Sequence, residues 1–413
     1  MSVKVVVVGG GAAGLIAAGF AAKQGADVTV VEKMNILGKK IRISGKGRCN
    51  ITNAADQTTF IQNYPGNGRF LYSALHRFSN WELLHFLRTL GVETKIERGD
   101  RVFPVSDDAN QIAEALSNFA RSQGVDILLN STVTKILTED NSVVGIELST
   151  KIRIRADRVI VTTGGASYPG TGSTGDGYRL AKSVGHAVTP AIPALVPLRI
   201  KEDWVKKLTG LSLRNVTLTV SNGRVEHQLF GEMQFTHFGI TGPIVLTLSR
   251  QVATWIQQGC AKIEAFIDLK PALNHEALDQ RIVRDFEQYA RKQFRNGLGD
   301  LLPKSLIPFV ISLSGINPEK QISQITKVQR QALINLFKKL PLTIAGTLPL
   351  SAAIVTAGGV EVKAIDPRTM ESKQIKGLFF AGEVLDIDGV TGGFNLQAAF
   401  STGYLAGISG AQV

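Results

Sequence analysis

The chain has 413 residues, enough for two or three domains, and its 44% hydrophobic and 19% charged residues describe a globular protein rather than a disordered or fibrous one. Two cysteines, Cys49 and Cys260, exclude a disulfide scaffold and point to a reducing cytoplasm. A net charge of +12 favours an anionic partner such as nucleic acid, with plain solubility as the alternative.

In chain order, Val3 to Val8 is a β-branched run of the kind buried in a parallel sheet. Ala12 to Gln24 is alanine-rich and helical, and Asp27 to Val31 is a second strand. This opening imitates an export signal or a membrane span. Its glycines and the strand that follows argue against both, so no membrane segment is expected. Between the first strand and the helix, Gly9 to Gly14 matches G-x-G-x-x-G. Gly9 allows a tight turn, Gly11 lets a pyrophosphate approach the backbone, and Gly14 lets helix and strand pack closely. Ala12 and Ala13 open the helix, whose N-terminus offers N–H groups and positive dipole to phosphates. Glu32, ending the second strand, has the place of a ribose-binding carboxylate. A bound dinucleotide is expected.

The stretch "RISGKGRCN", Arg42 to Asn50, follows. It is basic and glycine-rich, carries one thiol, and shows neither helical nor strand periodicity. Trp81 to Leu90 and Ala109 to Gln123 read as helices. Several short strands then lead to Arg158–Thr163, which ends in Gly164 and Gly165, a place where a strand meets a ligand's backbone. A second G-x-G-x-x-G, Gly170 to Gly175, lacks a preceding strand and a following acidic residue. It reads as a turn that starts a helix, Asp176 to Val184. One fingerprint therefore implies one resident dinucleotide.

From about Pro190 the character changes. "NVTLTVSNG", "HQLFGEMQFTHFG", "IVLTLS" and "KIEAFIDLKP" read as strands of a small antiparallel sheet or barrel, and His275 to Leu340 as helices rich in Lys and Arg. The C-terminal part returns to βα character. A strand, Leu378 to Ala381, runs into Gly382 and Glu383, and a loop through Gly392 and Gly393 precedes a helix near Asn395 and Leu396. Ligand-facing junctions at both chain ends suit one long ligand gripped at both ends. That helix N-terminus can face a flavin's pyrimidine edge and stabilise negative charge there.

The motifs "GGGAAGLIAA", "GKKIRISGKGRCNITN", "RVFPVSD", "GGASYPGTGSTGDGY", "PALVPL", "GEMQFTHFGITGP", "GTLPLSAAIVTAGGV" and "FAGEVLDIDGVTGGFNLQ" together resemble the bacterial BaiN-like (YhiN-type) FAD flavoproteins over nearly the whole chain. The resemblance implies an α/β fold with a Rossmann-like FAD-binding domain on a parallel sheet, interrupted by an insert with a β-barrel-like part and a helical part. On this chain the FAD-binding domain takes residues 1–190 and 342–413, the β-rich insert 191–273 and the helical insert 274–341. The expected cofactor contacts are those already named, joined by Lys33, Lys39, Ser44, Gly45, Arg48, Asn50, Val133 and Asp386. The family's reactions imply reduction of activated C=C bonds. They include steroid-type enones and a uridine of large-subunit ribosomal RNA, which becomes dihydrouridine. NAD(P)H is expected as the external reductant, visiting the substrate side in a ping-pong cycle. No metal is expected.

Such a reduction needs a proton donor for the α-carbon. Cys49 is the first candidate, since Lys46 and Arg48 should ease its ionisation, with a packing role as the alternative. His237 is the second, against a structural turn histidine. Three function classes stay open: an rRNA-modifying flavoenzyme, favoured by the charge; a small-molecule flavin reductase acting on enones or amino ketones; and a flavin-carrying RNA-binding protein without turnover. The sequence leaves the oligomeric state open.

Overall fold

The computed structural model describes residues 2–412. The chain divides into two compact units, Met1–Ala194 with Leu350–Val413, and Leu195–Pro349. Each has its own hydrophobic core.

The first unit is built on a five-stranded parallel sheet. Its order is Leu378–Phe380, Arg158–Val161, Lys4–Val8, Asp27–Val31, Asp126–Leu128. The opening strand is central, with Val5–Val8 in register with Val28–Val31 on one side and Arg158–Val161 on the other. Val5 to Val8 are all buried, as an all-β-branched run between two neighbours requires. The helix Ala12–Lys23 is apolar on every side, and Ala13 to Ala21 are buried. It packs on the C-terminal helix, Phe394–Gly410, through small residues. A Cβ on Gly403 would stand 2.4 Å from the Ala13 carbonyl oxygen, and one on Gly407 would stand 2.4 Å from that of Ala17. Two residues four apart on each helix meet in the same sense, so the helices run parallel. The C-terminal helix begins about eight residues earlier in that alignment. Its N-terminus is therefore displaced by about 12 Å along the shared direction.

The second unit is a closed six-stranded barrel. Its order is Leu198–Ile200, Gly239–Thr241, Glu226–Thr236, Ser212–Ser221, Glu264–Asp268, Leu340–Thr347. Alternation fills the interior: Leu218, Val220, Met233, Phe235, Ala265 and Ile267 are buried. The run "IVLTLS" departs from the strand expected of it and lies in a helix, Pro243–Gln257. Its buried positions Ile244, Val245, Leu248, Ser249, Val252 and Trp255 recur at helical spacing, and the pattern outweighs the β-branched composition. The helices His275–Gln288, Ile307–Ser314 and Lys327–Lys338 precede the last barrel strand, Leu340–Thr347. That strand pairs with Leu198–Ile200 and Glu264–Asp268, so barrel and helices belong to one unit.

Candidate functional site

The first unit holds a cavity of about 690 Å³, within the ordinary size range of small-molecule sites. Its floor is the junction of the first strand and helix. Gly9 has φ +106°, and a Cβ there would stand 2.7 Å from the Thr162 carbonyl oxygen. A Cβ on Gly14 would stand 1.9 Å from the Gly9 carbonyl oxygen. Both glycines are therefore demanded by backbone contact. Gly11 differs: nothing lies within 4 Å of its missing Cβ, and it lines the cavity. The helix starting at Ala12 has no side-chain cap and no acidic residue in its first turn. Its free N–H groups at Ala12 and Ala13 face the cavity.

Glu32 lies on the same cavity. Its two oxygens accept from the backbone N–H groups of Gly10 and Met34, each at 2.7 Å. Those bonds fix the carboxylate, and two acceptor sites remain for a diol. Beyond it, Lys33 is held by Asp176 at 2.7 Å. Burial raises the Asp176 pKa, but Lys33 more than offsets this, so the carboxyl is held below its ordinary range. The second glycine-rich stretch borders this cavity too, through Thr171, Gly172 and Ser173.

The C-terminal helix also begins without a side-chain cap, and Asn395 and Leu396 line the cavity. The Asn395 amide is engaged with Gly389, accepting from its N–H at 2.8 Å and donating to its carbonyl at 2.8 Å. The helix's free N–H groups, rather than this side chain, are what the site offers. Gly393 has φ +100°, and a Cβ on it would stand 2.2 Å from the Thr52 carbonyl oxygen. Asn50 secures this approach. With its amide oriented to satisfy its neighbours, its oxygen accepts from the Gly393 N–H at 3.0 Å, and its nitrogen donates to the carbonyls of Thr52 and Val102.

Glu383 is the centre of a polar knot. It accepts from Lys40 at 2.8 Å, from Ser167 Oγ at 3.2 Å and from the Thr356 N–H at 2.9 Å. Lys40 also donates to Ser167 Oγ at 3.0 Å. Lys40 was not anticipated from sequence; only this partner, 343 positions away, gives it a role. Thr163 lines the cavity with a buried hydroxyl lacking a hydrogen-bond partner. A bound polar group would satisfy it.

Of the other sequence-derived contacts, Lys39, Ser44, Gly45, Val133, Gly164 and Gly382 line the cavity. Gly165 and Gly392 shape nearby backbone without lining it. Asp386 also lies off the lining, its carboxylate accepting from Thr189 Oγ1 at 2.9 Å.

The loop Arg42–Asn50 is a short helix, Lys39–Ile43, followed by a 3₁₀ turn, Ser44–Gly47. Left-handed backbone at Gly45, Lys46 and Cys49 explains the missing periodicity. Arg48 is turned to Glu97 at 2.5 Å and Asp107 at 2.6 Å and stacks on Phe103 at 4.2 Å. Glu97, then Asp107, raises its pKa. Cys49 is fully buried behind the lining. The expected easing of its ionisation is reversed: burial pushes the thiol up to about 12, against a smaller lowering by Ser44. His237 belongs to the second unit, exposed in the turn after Glu226–Thr236 with its ring 4.9 Å from that of Phe238.

The arrangement fits an extended dinucleotide: a diol acceptor at Glu32 and two positive helix ends about 12 Å apart along one direction. No helix among the described residues is long and apolar enough to cross a membrane. The family model described as HI0933-like protein Rossmann domain matches residues 3–409. The 3-dehydro-bile acid delta(4,6)-reductase of Clostridium scindens is 35% identical over 98% of this chain and 98% of its own. The ribosomal RNA dihydrouridine synthase of Haemophilus influenzae is 35% identical over 98% of this chain and 97% of its own. The fold is that of a 3-ketosteroid-delta4-(5alpha)-dehydrogenase from Rhodococcus jostii, with a TM-score of 0.53 at 17% identity over 100% of this chain and 97% of that one.

Proposed function

The chain belongs to the HI0933-like family, whose members are flavin-dependent oxidoreductases, and on that premise we propose that it holds FAD in the cavity of its first unit and reduces a C=C bond conjugated to a carbonyl, with NAD(P)H as external reductant. The favoured acceptor is a uridine of large-subunit ribosomal RNA, with dihydrouridine as product. The observation that carries the cofactor reading is one cavity receiving Glu32 and two uncapped helix N-termini.

When bound, FAD supplies a two-electron hydride donor. Glu32 would hold the adenosine ribose through its two remaining acceptor sites. Gly11 leaves room for the pyrophosphate, which the N–H groups of Ala12 and Ala13 would bond. The N–H groups at the start of the C-terminal helix offer positive potential to the flavin's pyrimidine edge. The Glu383–Lys40–Ser167 knot fixes one side of the cavity through Lys40 and Glu383.

Charge favours RNA. The second unit carries 20 Lys and Arg against 12 Asp and Glu, and the larger first unit 26 against 22. Three of the second unit's acids are held in ion pairs, Asp279 with Arg330, Asp285 with Arg281 and Glu319 with Arg295. Arg284, Arg291, Lys304 and Lys327 are exposed, with no carboxylate partner among the described residues. A surface of that kind suits a polyphosphate backbone. The equal identity to the bile acid reductase favours a second reading, a small enone as acceptor.

The decisive test is mass spectrometry of ribosomal RNA with and without the gene, beside flavin release from the purified protein. Loss of one dihydrouridine on deletion is expected. An unchanged rRNA modification profile, with salt-insensitive reduction of a free enone, would establish the second reading instead.

A further inference from the structure

Three side chains on the cavity are large, apolar and exposed: Ile43 at 47%, Tyr168 at 40% and Ile354 at 43%. Their gathering has one cause. Ser167, fully buried, donates to Glu383 and, at 3.3 Å, to the Ile354 carbonyl. Lys40 binds the same Ser167 and Glu383. Tyr168 follows Ser167 directly. Ile43 lies three residues after Lys40 on one short helix, a spacing that puts them on neighbouring positions of its surface. One polar knot, with Ser167 buried at its centre, thus anchors three apolar side chains.

The backbone of Tyr168 is held in a costly shape to achieve this. Its φ is +49° and its ψ +62°, left-handed, in a bulky residue that precedes a proline. Beyond it, the Tyr168 carbonyl accepts from the N–H and the hydroxyl of Thr171, at 2.9 and 2.7 Å. The chain is clamped on both sides, and the ring between remains exposed. Lys46 on the same cavity is likewise left-handed, at φ +60°, and exposed. It has no hydrogen-bond or ion-pair partner among the described residues, whereas Lys33 and Lys40 are paired to Asp176 and Glu383. Left-handed non-glycine residues that persist in a cavity wall are strain kept where ligands bind.

We propose that Ile43, Tyr168 and Ile354 form a clasp for the acceptor's flat ring, with Lys46 donating to its conjugated carbonyl oxygen. The aromatic face offers stacking, the two isoleucines exclude water, and the ammonium meets the oxygen on which negative charge develops during reduction. The shared ligand chemistry is a planar ring whose C=C is conjugated to a carbonyl, from a uracil base or from a cyclic enone. This rests on the reductase reading and names its acceptor subsite.

The test uses the FAD-loaded full chain and the variants Tyr168→Ala, Tyr168→Phe and Lys46→Met. The readouts are bound flavin per chain, perturbation of the flavin absorption band on adding uridine monophosphate or 2-cyclohexenone, and KM and kcat for whichever acceptor turns over. Tyr168→Ala should keep its flavin, lose the band perturbation and raise KM at least tenfold. Tyr168→Phe should stay within about threefold, as stacking requires. Lys46→Met should lower kcat/KM at least tenfold with flavin retained. Response to uridine monophosphate alone identifies the base as the ligand, and response to cyclohexenone alone identifies the enone. Loss of flavin from Tyr168→Ala would assign the clasp to the cofactor and overturn the proposal, as would an unchanged KM. A wild-type protein that neither binds nor reduces either probe would bring down the reductase reading itself.

Discussion

The two units use charge in opposite ways. Around the cavity of the first, Lys33 and Lys40 are matched by Asp176 and Glu383, and Arg48 by Glu97 and Asp107. Positive potential comes there from backbone, at two helix N-termini, and from the unpaired Lys46. In the second unit several carboxylates are bound by Lys and Arg side chains, while Arg284, Arg291, Lys304 and Lys327 stay exposed with no carboxylate partner among the described residues. The first arrangement is short-ranged and geometric, suited to a small ligand held in one pose. The second is long-ranged and salt-sensitive, suited to a polyanion met in solution.

The sharpest way to break the first half of that comparison is Gly14→Val. Its side chain would begin 1.9 Å from a carbonyl oxygen of the chain itself, with no flexible neighbour to yield. A loss of about 4 kcal/mol or more is expected, at the exceptional end for one substitution. The measurements are Tm and flavin content, and a stable, yellow Gly14→Val protein would refute the close-packing account. The second half is tested by Arg284→Glu, Arg291→Glu and Lys304→Glu together. RNA affinity should fall roughly 100-fold at moderate salt. The slope of log K against log salt should shrink by about two to three as phosphate contacts are lost. Flavin absorbance should not change. Unaltered RNA binding would place the polyanion's partner charges away from these three positions.

A smaller effect separates paired from unpaired cations. Lys40→Met leaves the Glu383 carboxylate, 18% exposed, with hydrogen bonds but no cation. Because both partners keep some contact with water, the expected cost is about 1–2 kcal/mol rather than the larger penalty of a fully buried pair. Adding Glu383→Gln should recover part of it. Thermal denaturation of the two singles and the double checks this, and strict additivity would mean that the ion pair contributes nothing.

Legibility from sequence followed the range of the interactions. The opening strand–turn–helix was readable because its logic is local: Gly9, Gly11, Gly14 and Glu32 act within one βαβ unit. The start of the C-terminal helix was readable for the same reason. Arg48 and Asn50 sit in a stretch equally rich in glycine and charge, yet the partners that decide their roles, Glu97, Asp107 and Gly393, lie far along the chain. Nothing nearby in sequence distinguishes Arg48 from Lys46, although one is bound in an ion cluster and the other is free. Tyr168 and Ile354 were invisible for a related reason, since their exposure depends on Ser167 and Glu383 meeting across the fold. The segment "IVLTLS" looks like a strand by its own composition, because the helical recurrence that outweighs it runs over the longer stretch from Ile244 to Trp255.

Cys49 gives the smallest and most discriminating effect, because the two cysteines lie in the two units with different exposure. Cys260 is partly exposed and Cys49 is fully buried, so a thiol reagent at pH 8 should modify one group quickly and the other only on unfolding. Burial raises the Cys49 pKa from about 9 to about 12, so the native state keeps its proton where the unfolded state loses it. The unfolded state then binds fewer protons, and stability falls as pH rises from about 9 towards about 12. Cys49→Ala should reduce the alkaline slope by its own share, leaving the share of the buried phenols Tyr64 and Tyr178, while retaining flavin. A thiol held protonated behind the cavity wall is poorly placed to deliver a proton, so turnover should stay within about twofold of the wild type. A fall of tenfold or more at full flavin content would restore Cys49 as the proton donor and would mean that the wall in front of it opens during the reaction.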